Sequence, residues 1–497
     1  TNVAIGNYSM DAAMDGALNN TAVGHSSLSA ITTGGGNVSI GRRSSSALST
    51  GGTNVAIGND CLYGGDVNHC VVIGADACQA VQTQDGTVAI GKSALKALTS
   101  GDKNIAIGYN SMLLATSATN NVAIGYDAMN AMVGDEANKN DGHHNIAIGT
   151  DAMGSVNAFT HTDSTSDGNI AIGTNALLGG VFADSELHLK GNIAIGYNAL
   201  DNTGTNGAGT TGNIAIGYES LTAHAGGGSG NNTAIGYQSM LTATTAQNNV
   251  MIGWQAGYRC ANGGAFNTIV GSKAFSGDQA GLSDSDENTA VGYLALSGVT
   301  VNADLNTMVG CRAGDGITTG RENTGIGTDV AFDIDANNQT CVGYQATTDS
   351  ANDIAIGNTS VDEIEGQVSF GTYSDKRIKT DIKDGDLGLD FIKLLKPKKF
   401  KKVNPAKYPD SIRKPQDGVN SKGEEFEWTD AQANKVWDGL IAQDVKEAID
   451  ACGTSYSGWR EKKNSKQVLE YEVLVIPLIK AVQELSAQVE ELKAKLK

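Results

Sequence analysis

One short phrase, Asn-(Val/Ile/Thr)-Ala-(Ile/Val)-Gly, returns again and again over the first 357 residues of this chain. Clear copies are Asn54–Gly58, Asn104–Gly108, Asn121–Gly125, Asn145–Gly149, Asn169–Gly173, Asn192–Gly196 and Asn213–Gly217, with looser ones at Asn267–Gly271, Asn306–Gly310 and Asn323–Gly327. Twenty closing glycines run from Gly6 to Gly357. Their commonest interval is 17 residues, stretching to 24, 24, 23 and 21 between Gly125 and Gly217. A unit this short cannot bury its own apolar face. A stack of such units can, with each coil touching only its neighbours.

The phrase reads as a β-strand. Val-Ala-Ile alternates with period two, and Val and Ile favour extended backbone. The glycine closes the strand where the chain must turn or pass close to its neighbour. The second half of a unit, such as Tyr197-Asn198-Ala199-Leu200, supplies a second apolar layer. Asn recurring at one position predicts a side-chain ladder along the stack. These features predict an all-β repeat solenoid over residues 1–357. At ~4.8 Å per coil it makes a rod on the order of 100 Å long. Three chains side by side would cover its exposed edges.

Composition agrees and divides the chain. Glycine is abundant at 64 residues and aromatics are only 5%, so small side chains must fill the core. Residues 1–374 carry 11 Lys+Arg against 33 Asp+Glu, a net of −22. Residues 375–497 carry 24 against 21, a net of +3. All five prolines, Pro397, Pro405, Pro409, Pro415 and Pro477, fall in the second region. The acidic first region argues against nucleic-acid binding, which needs a basic surface. The one basic run, Lys393–Lys402, is expected to be a solvated loop or a contact with the acidic shaft. The seven cysteines, Cys61, Cys70, Cys78, Cys260, Cys311, Cys341 and Cys452, lack zinc spacing and mostly replace Ser, Ala or Asn of the repeat. They are read as buried small residues of a chain made in a reducing cytoplasm. No apolar stretch of 18 residues predicts membrane insertion, and no signal peptide is evident. The sequence opens inside a repeat at Thr1-Asn2-Val3-Ala4-Ile5-Gly6, which predicts further protein before it.

Periodicity stops after Gly357. Val368–Tyr373 reads as a last strand leading to Ser374-Asp375-Lys376-Arg377-Ile378-Lys379. A helix is expected over Leu387–Leu395, then a Pro- and Lys-rich loop, then a strand or helix entry at Gly439–Val445. Leu478, Val482, Leu485, Val489, Leu492 and Leu496 are spaced 4, 3, 4, 3, 4, a heptad seam. The expected organisation is a shaft over 1–357, a junction over 358–374, a small α+β domain over 375–475 and a coiled-coil helix over 476–497.

Two resemblances follow. The Asn-x-Ala-Ile-Gly phrase resembles the head repeats of trimeric autotransporter adhesins, a left-handed parallel β-roll, although that family's repeat is usually shorter. The C-terminal region resembles the intramolecular chaperone auto-processing domain, also called the peptidase S74 family, which ends phage endosialidase tailspikes and other phage fibres. Three ordered blocks carry it: 374–379, Gly439-Leu440-Ile441-Ala442-Gln443-Asp444-Val445, and the block from Tyr471-Glu472 through Pro477 to Leu485. The resemblance implies a homotrimer whose chaperone brings three shafts into register and then cuts itself away.

It also implies a Ser-Lys dyad, Ser374 and Lys379. A serine hydroxyl is a weak nucleophile until a base takes its proton. A lysine can be that base when burial lowers its pKa. Five residues apart, the two would not face each other on one helix or strand, so a turn at Asp375–Arg377 must bring them together. Asp375 and Arg377 are expected to orient that turn through charge-assisted bonds. The family cuts between Ser374 and Asp375, while attack on the preceding carbonyl would cut Tyr373-Ser374, and both stay open.

The function expected is a phage tail fibre or tailspike. It is made in the host cytoplasm and carried on the virion, and it touches a host-cell receptor or glycan and, through a preceding segment, other tail proteins. The insertions at 130–144, 154–168 and 179–191 could form a lateral knob for such binding, or be plain surface loops. The histidines beside them (His143, His144, His161, His188, His224) are read as surface loop residues. No cofactor or metal is implied. Two alternatives stand beside this reading. A bacterial trimeric adhesin would call for a secretion signal and a C-terminal membrane barrel. A polysaccharide-degrading tailspike could hide two carboxylates on adjacent coils.

Overall fold

The computed structural model describes residues 1–80, 85–132, 142–155, 165–179, 188–202, 210–224, 230–260, 264–277, 285–361, 363–367, 371–413, 425, 428–462 and 465–496. They form two compact units, Thr1–Asn338 and Gln339–Lys497.

The first unit is a parallel β-solenoid. Each repeat contributes one three-residue strand, from Val3–Ile5 to Thr324–Ile326, paired in parallel with its neighbours. Register never slips: Ala4 lies opposite Ala22, and Ala106 opposite Ala123. The long coils obey the same rule, with Ala123, Ala147, Ala171 and Ala194 in one row. The middle residue points inward. Ala56, Ala106, Ala171 and Ala215 are fully buried, while flanking residues such as Ile57 and Ile105 are exposed by over a third. A one-residue slip would exchange the two faces, so burial fixes register.

The closing glycines from Gly6 to Gly327 have φ of about +130° to +150°, as at Gly196 (+139°). That backbone belongs to glycine. A Cβ on Gly196 would also lie 2.7 Å from the carbonyl carbon of Gly217 in the next coil. After the glycine, every second residue adopts a left-handed φ: Asn198 at 51° and Leu200 at 50°. A bulky residue there is uncommon and costs energy. Two gains offset it. The Leu200 side chain is fully buried. The alternation also sends successive N–H groups to opposite neighbours, Asn198 to Thr174 O at 3.1 Å and Leu200 to Ser220 O at 3.0 Å.

The asparagine ladder is present and buried. Asn192 shows its logic. Its Nδ2 donates to Asn169 Oδ1 at 3.0 Å and to Thr210 O at 2.7 Å. Its Oδ1 accepts from the backbone N–H of Asn213 at 3.0 Å and from Asn213 Nδ2 at 3.3 Å. Both donors and both acceptor positions are thus used, as a buried amide requires. Cys70 and Thr87 interrupt the ladder, although the Cys70 N–H still donates to Asn54 Oδ1 at 2.9 Å.

Most of the three long insertions lies outside the described residues, as does His161. Their last residues add a small second parallel sheet, Gly142–His143, Thr165–Asp167 and His188–Lys190. Cys61, Cys70, Cys78, Cys260 and Cys341 are buried as expected, but Cys311 is exposed.

The second unit begins with strands Thr340–Val342 and Ile354–Ile356, paired in parallel. Val368–Phe370 lies outside the described residues, and Gly371–Tyr373 is irregular. Then come helices α1 (Leu389–Leu394), α2 (Asp430–Asn434), α3 (Ala442–Cys452) and α4 (Val475–Lys495). Two antiparallel hairpins join them, Lys398–Lys401 with Val436–Gly439 and Trp459–Glu461 with Gln467–Leu469. Part of the basic run is therefore a strand, and Lys402 and Lys435 both lie over the Trp437 ring. Leu387, Phe391, Val445, Ala448 and Ile449 form a small core.

Candidate functional site

The segment Ser374–Lys379 is built from a short turn. Asp375 caps the 3-10 helix Lys376–Ile378, its Oδ1 accepting the Arg377 N–H at 2.8 Å. The Arg377 guanidinium grips the same carboxylate, with Nη2 at 2.6 Å from Oδ2 and Nε at 3.1 Å from both oxygens. Hydrogen bonds from Arg377 hold the Asp375 carboxyl below its ordinary range. The turn closes as the Lys379 N–H donates to Lys376 O at 3.2 Å. Across this turn Lys379 Nζ donates to Ser374 Oγ at 2.7 Å. The turn expected at Asp375–Arg377 is formed, and Ser374, Asp375, Arg377 and Lys379 are brought together. All four are exposed in the single chain.

The other blocks of the C-terminal region meet each other. Tyr471, just ahead of α4, places its hydroxyl against Leu440: the Leu440 N–H donates to it at 2.8 Å. A Cβ on Gly439 would lie 2.6 Å from that hydroxyl. Glu484 on α4 accepts the Leu389 N–H at 2.8 Å. It thereby caps α1, whose N-cap Gly388 has no side chain to do so. Lys480 donates to the Gly385 carbonyl. Tyr471, Lys480 and Glu484 thus act as ties within the module. All three lie in the Tyr471–Leu485 block, whose sequence alone marks no such ties. The one available signal was Gly388, a residue with no side chain to cap a helix, near the start of the one expected over Leu387–Leu395.

A β-solenoid followed by a small α+β module with a Ser-Lys hydrogen bond at its first residues defines a class: a fibrous shaft carrying a C-terminal accessory domain. Residues 374–454 match the family model described as chaperone of endosialidase, Peptidase_S74, a family of auto-cleaving chaperone domains. The match opens on Ser374 itself and spans the Gly439–Val445 block; the Tyr471–Leu485 block lies beyond it. Shaft and domain together fit a tailspike or fibre with a C-terminal chaperone. None of the curated proteins compared with the chain matches it.

Proposed function

We propose that this chain is a phage tail fibre or tailspike whose C-terminal module assembles a homotrimer and then cuts itself off beside Ser374. The observation that carries the reading is the 2.7 Å contact of Lys379 Nζ with Ser374 Oγ at the first residue of the matched domain. Lys379 as general base takes the Ser374 proton, and the alkoxide oxygen attacks a carbonyl carbon. The C–N bond breaks as Lys379 returns the proton to the leaving nitrogen, and water hydrolyses the resulting ester. Attack on the Tyr373 carbonyl closes a five-membered ring within the chain and cuts Tyr373-Ser374. Attack on the carbonyl of Ser374 itself would need a four-membered ring. A cut between Ser374 and Asp375 therefore calls for Ser374 of a second subunit, or an activated water.

A lysine acts as base only when neutral, and desolvation favours that form. Ser374 and Lys379 are exposed in one chain, so neighbouring subunits would arm the pair by covering it. Apolar surface supports such an assembly. Leu478, Val482, Leu485, Val489 and Leu492 all lie exposed along α4, and the Val/Ile flanks of the strands are half-buried to exposed along the shaft. The released shaft, on the virion, presents its coils and insertions to a host receptor or glycan. Cutting makes the assembly irreversible, a kinetic trap suited to a slow, non-local β-topology.

The test is direct. The parent chain and Ser374→Ala are expressed and run on a denaturing gel. Two fragments divided beside residue 374 are expected from the parent and none from the variant. A parent that stays intact after assembly refutes the reading.

A further inference from the structure

The Ser374 cut falls inside the second compact unit, not at its edge. That unit begins at Gln339 and includes the terminal coil, with strands Thr340–Val342 and Ile354–Ile356. One side chain from beyond the cut reaches back to this coil. Lys462 follows the strand Trp459–Glu461, and its backbone is fixed in the hairpin turn: its N–H donates to Lys466 O at 2.9 Å, and its carbonyl accepts from Ser465 at 2.8 Å. Its Nζ donates to Asp353 Oδ2 at 2.8 Å and to Asp349 Oδ1 at 3.2 Å. The three side chains are only 26%, 22% and 17% exposed. Water therefore screens this contact less than an ordinary surface pair. The hairpin in turn places Trp459 and Leu469 on the module's core. Burial alone would push the Lys462 ammonium down, but the bonds to Asp353 and Asp349 outweigh it and hold it above its ordinary value. Both carboxylates precede Ser374 and the ammonium follows it, so cutting the chain leaves every one of these bonds in place.

We propose that Lys462 clasps the terminal coil through Asp349 and Asp353, so that the module stays seated after the cut beside Ser374 and leaves only when this ionic contact is broken. The inference rests on the self-cutting reading above and goes beyond it: cutting and departure are two events with different controls. The charges of the two segments fit, an acidic one before the cut and a slightly basic one after it. Release is then governed by ionic strength, and each departed module leaves Asp349 and Asp353 side by side without their shared cation.

The experiment uses the full chain. A denaturing gel first scores the cut, and size exclusion at low and at molar salt then scores whether the small fragment travels with the shaft. The expected result is a cut parent whose fragment co-elutes at low salt and separates at high salt. Lys462→Gln should be cut normally but weaken retention at least about tenfold, separating already at low salt. The double variant Asp349→Asn/Asp353→Asn should do the same from the other side, and decides the matter if Lys462→Gln aggregates. A fragment that leaves the parent shaft at low salt overturns the clasp while self-cutting stands. So does a fragment that both variants retain. If the gel shows no cut, self-cutting fails. The clasp is then judged by the same elutions on a chain cut by an added protease at a site inserted after Gly371, in an exposed stretch.

Discussion

Met251 fills, with its Sδ, the space that a side chain on Gly257 would need. In most coils the inward strand residue is Ala and the residue six further on is Leu or Met, as with Ala56 and Leu62, both buried. Here the large and small partners have changed places. Met308 and Gly314 repeat the exchange, with Met308 Sδ 2.7 Å from where a Gly314 Cβ would sit. Val72 with Cys78 is a milder version. In these coils the core thus holds a similar volume that either layer can supply, whereas Ser39 with Ser45 fills both positions with small buried side chains. Ile269 with Phe275 in the adjacent coil departs from this rule, and nothing in the structure explains it.

This trade is testable as a cycle. Met251→Ala alone should cost about 2–4 kcal/mol by opening a cavity. Gly257→Leu alone should cost about 1–3 kcal/mol or more by overpacking. The double variant restores the common Ala/Leu arrangement and should be markedly more stable than the sum of the singles. Denaturant unfolding of the four proteins reads the coupling, and simple additivity would refute it.

The glycine column allows no such exchange. Gly196→Ala combines a φ of +139° with a Cβ pressed on the Gly217 carbonyl, and both coils are fixed by their neighbours. The expected loss is about 3 kcal/mol or more, seen as a lowered unfolding midpoint or loss of soluble protein. Asn198→Ala, two residues on and half-buried, loses only the hydrogen bond that its Oδ1 accepts from Asn175 Nδ2 at 3.1 Å and should cost well under half as much.

Asp201, beside the buried Leu200, gives the shaft a pH response. Burial pushes its carboxyl up to about 6, with the charge of Glu219 adding to this and backbone hydrogen bonds opposing it. Its Oδ1 is buried without a hydrogen-bond partner. A folded-state value above the unfolded one, about 4, means that the folded state disfavours the charged form. The group's contribution is therefore fully present below about pH 4 and lost as pH rises toward 6. Because Asp201 is only half-buried, screening reduces the loss to the order of 1 kcal/mol. Asp201→Asn should remove it, so the variant gains on the parent between pH 4 and pH 7 in denaturant melts.

Lys379→Arg keeps a positive charge and a donor near Ser374 but cannot become a neutral base. Self-cutting should slow by at least about 100-fold, followed by gel against time. Mass spectrometry of the parent's small fragment identifies the bond: a fragment starting at Ser374 marks attack within the chain, and one starting at Asp375 marks attack across subunits or by water.

The repeat phrase made the solenoid legible because the same residue types must recur wherever the same contacts recur. Inward Ala, closing Gly and buried Asn each answer to a neighbour one coil away. The pairing of Ser374 with Lys379 came from the resemblance alone; given the pair, a spacing of five, which fits neither helix nor strand, called for the turn that is formed. The small sheet of Gly142–His143, Thr165–Asp167 and His188–Lys190 was not. Those residues have no alternation of their own, and the stacked coils hold them in line. Nor did the sequence mark the unit boundary at Asn338, because Thr340-Cys341-Val342-Gly343 reads like any other copy. Lys462 lies in a hairpin turn over a hundred residues away from its partners, a separation that no local pattern records.

Register across the long coils carries a practical consequence. Ala123 and Ala147 are paired as squarely as Ala106 and Ala123, though seven more residues separate the first pair. Coil length is therefore a free variable while the rung is fixed. Evolution, or an engineer, can splice new loops between rungs without re-indexing the rest, and so change what the rod displays while leaving how it stands untouched.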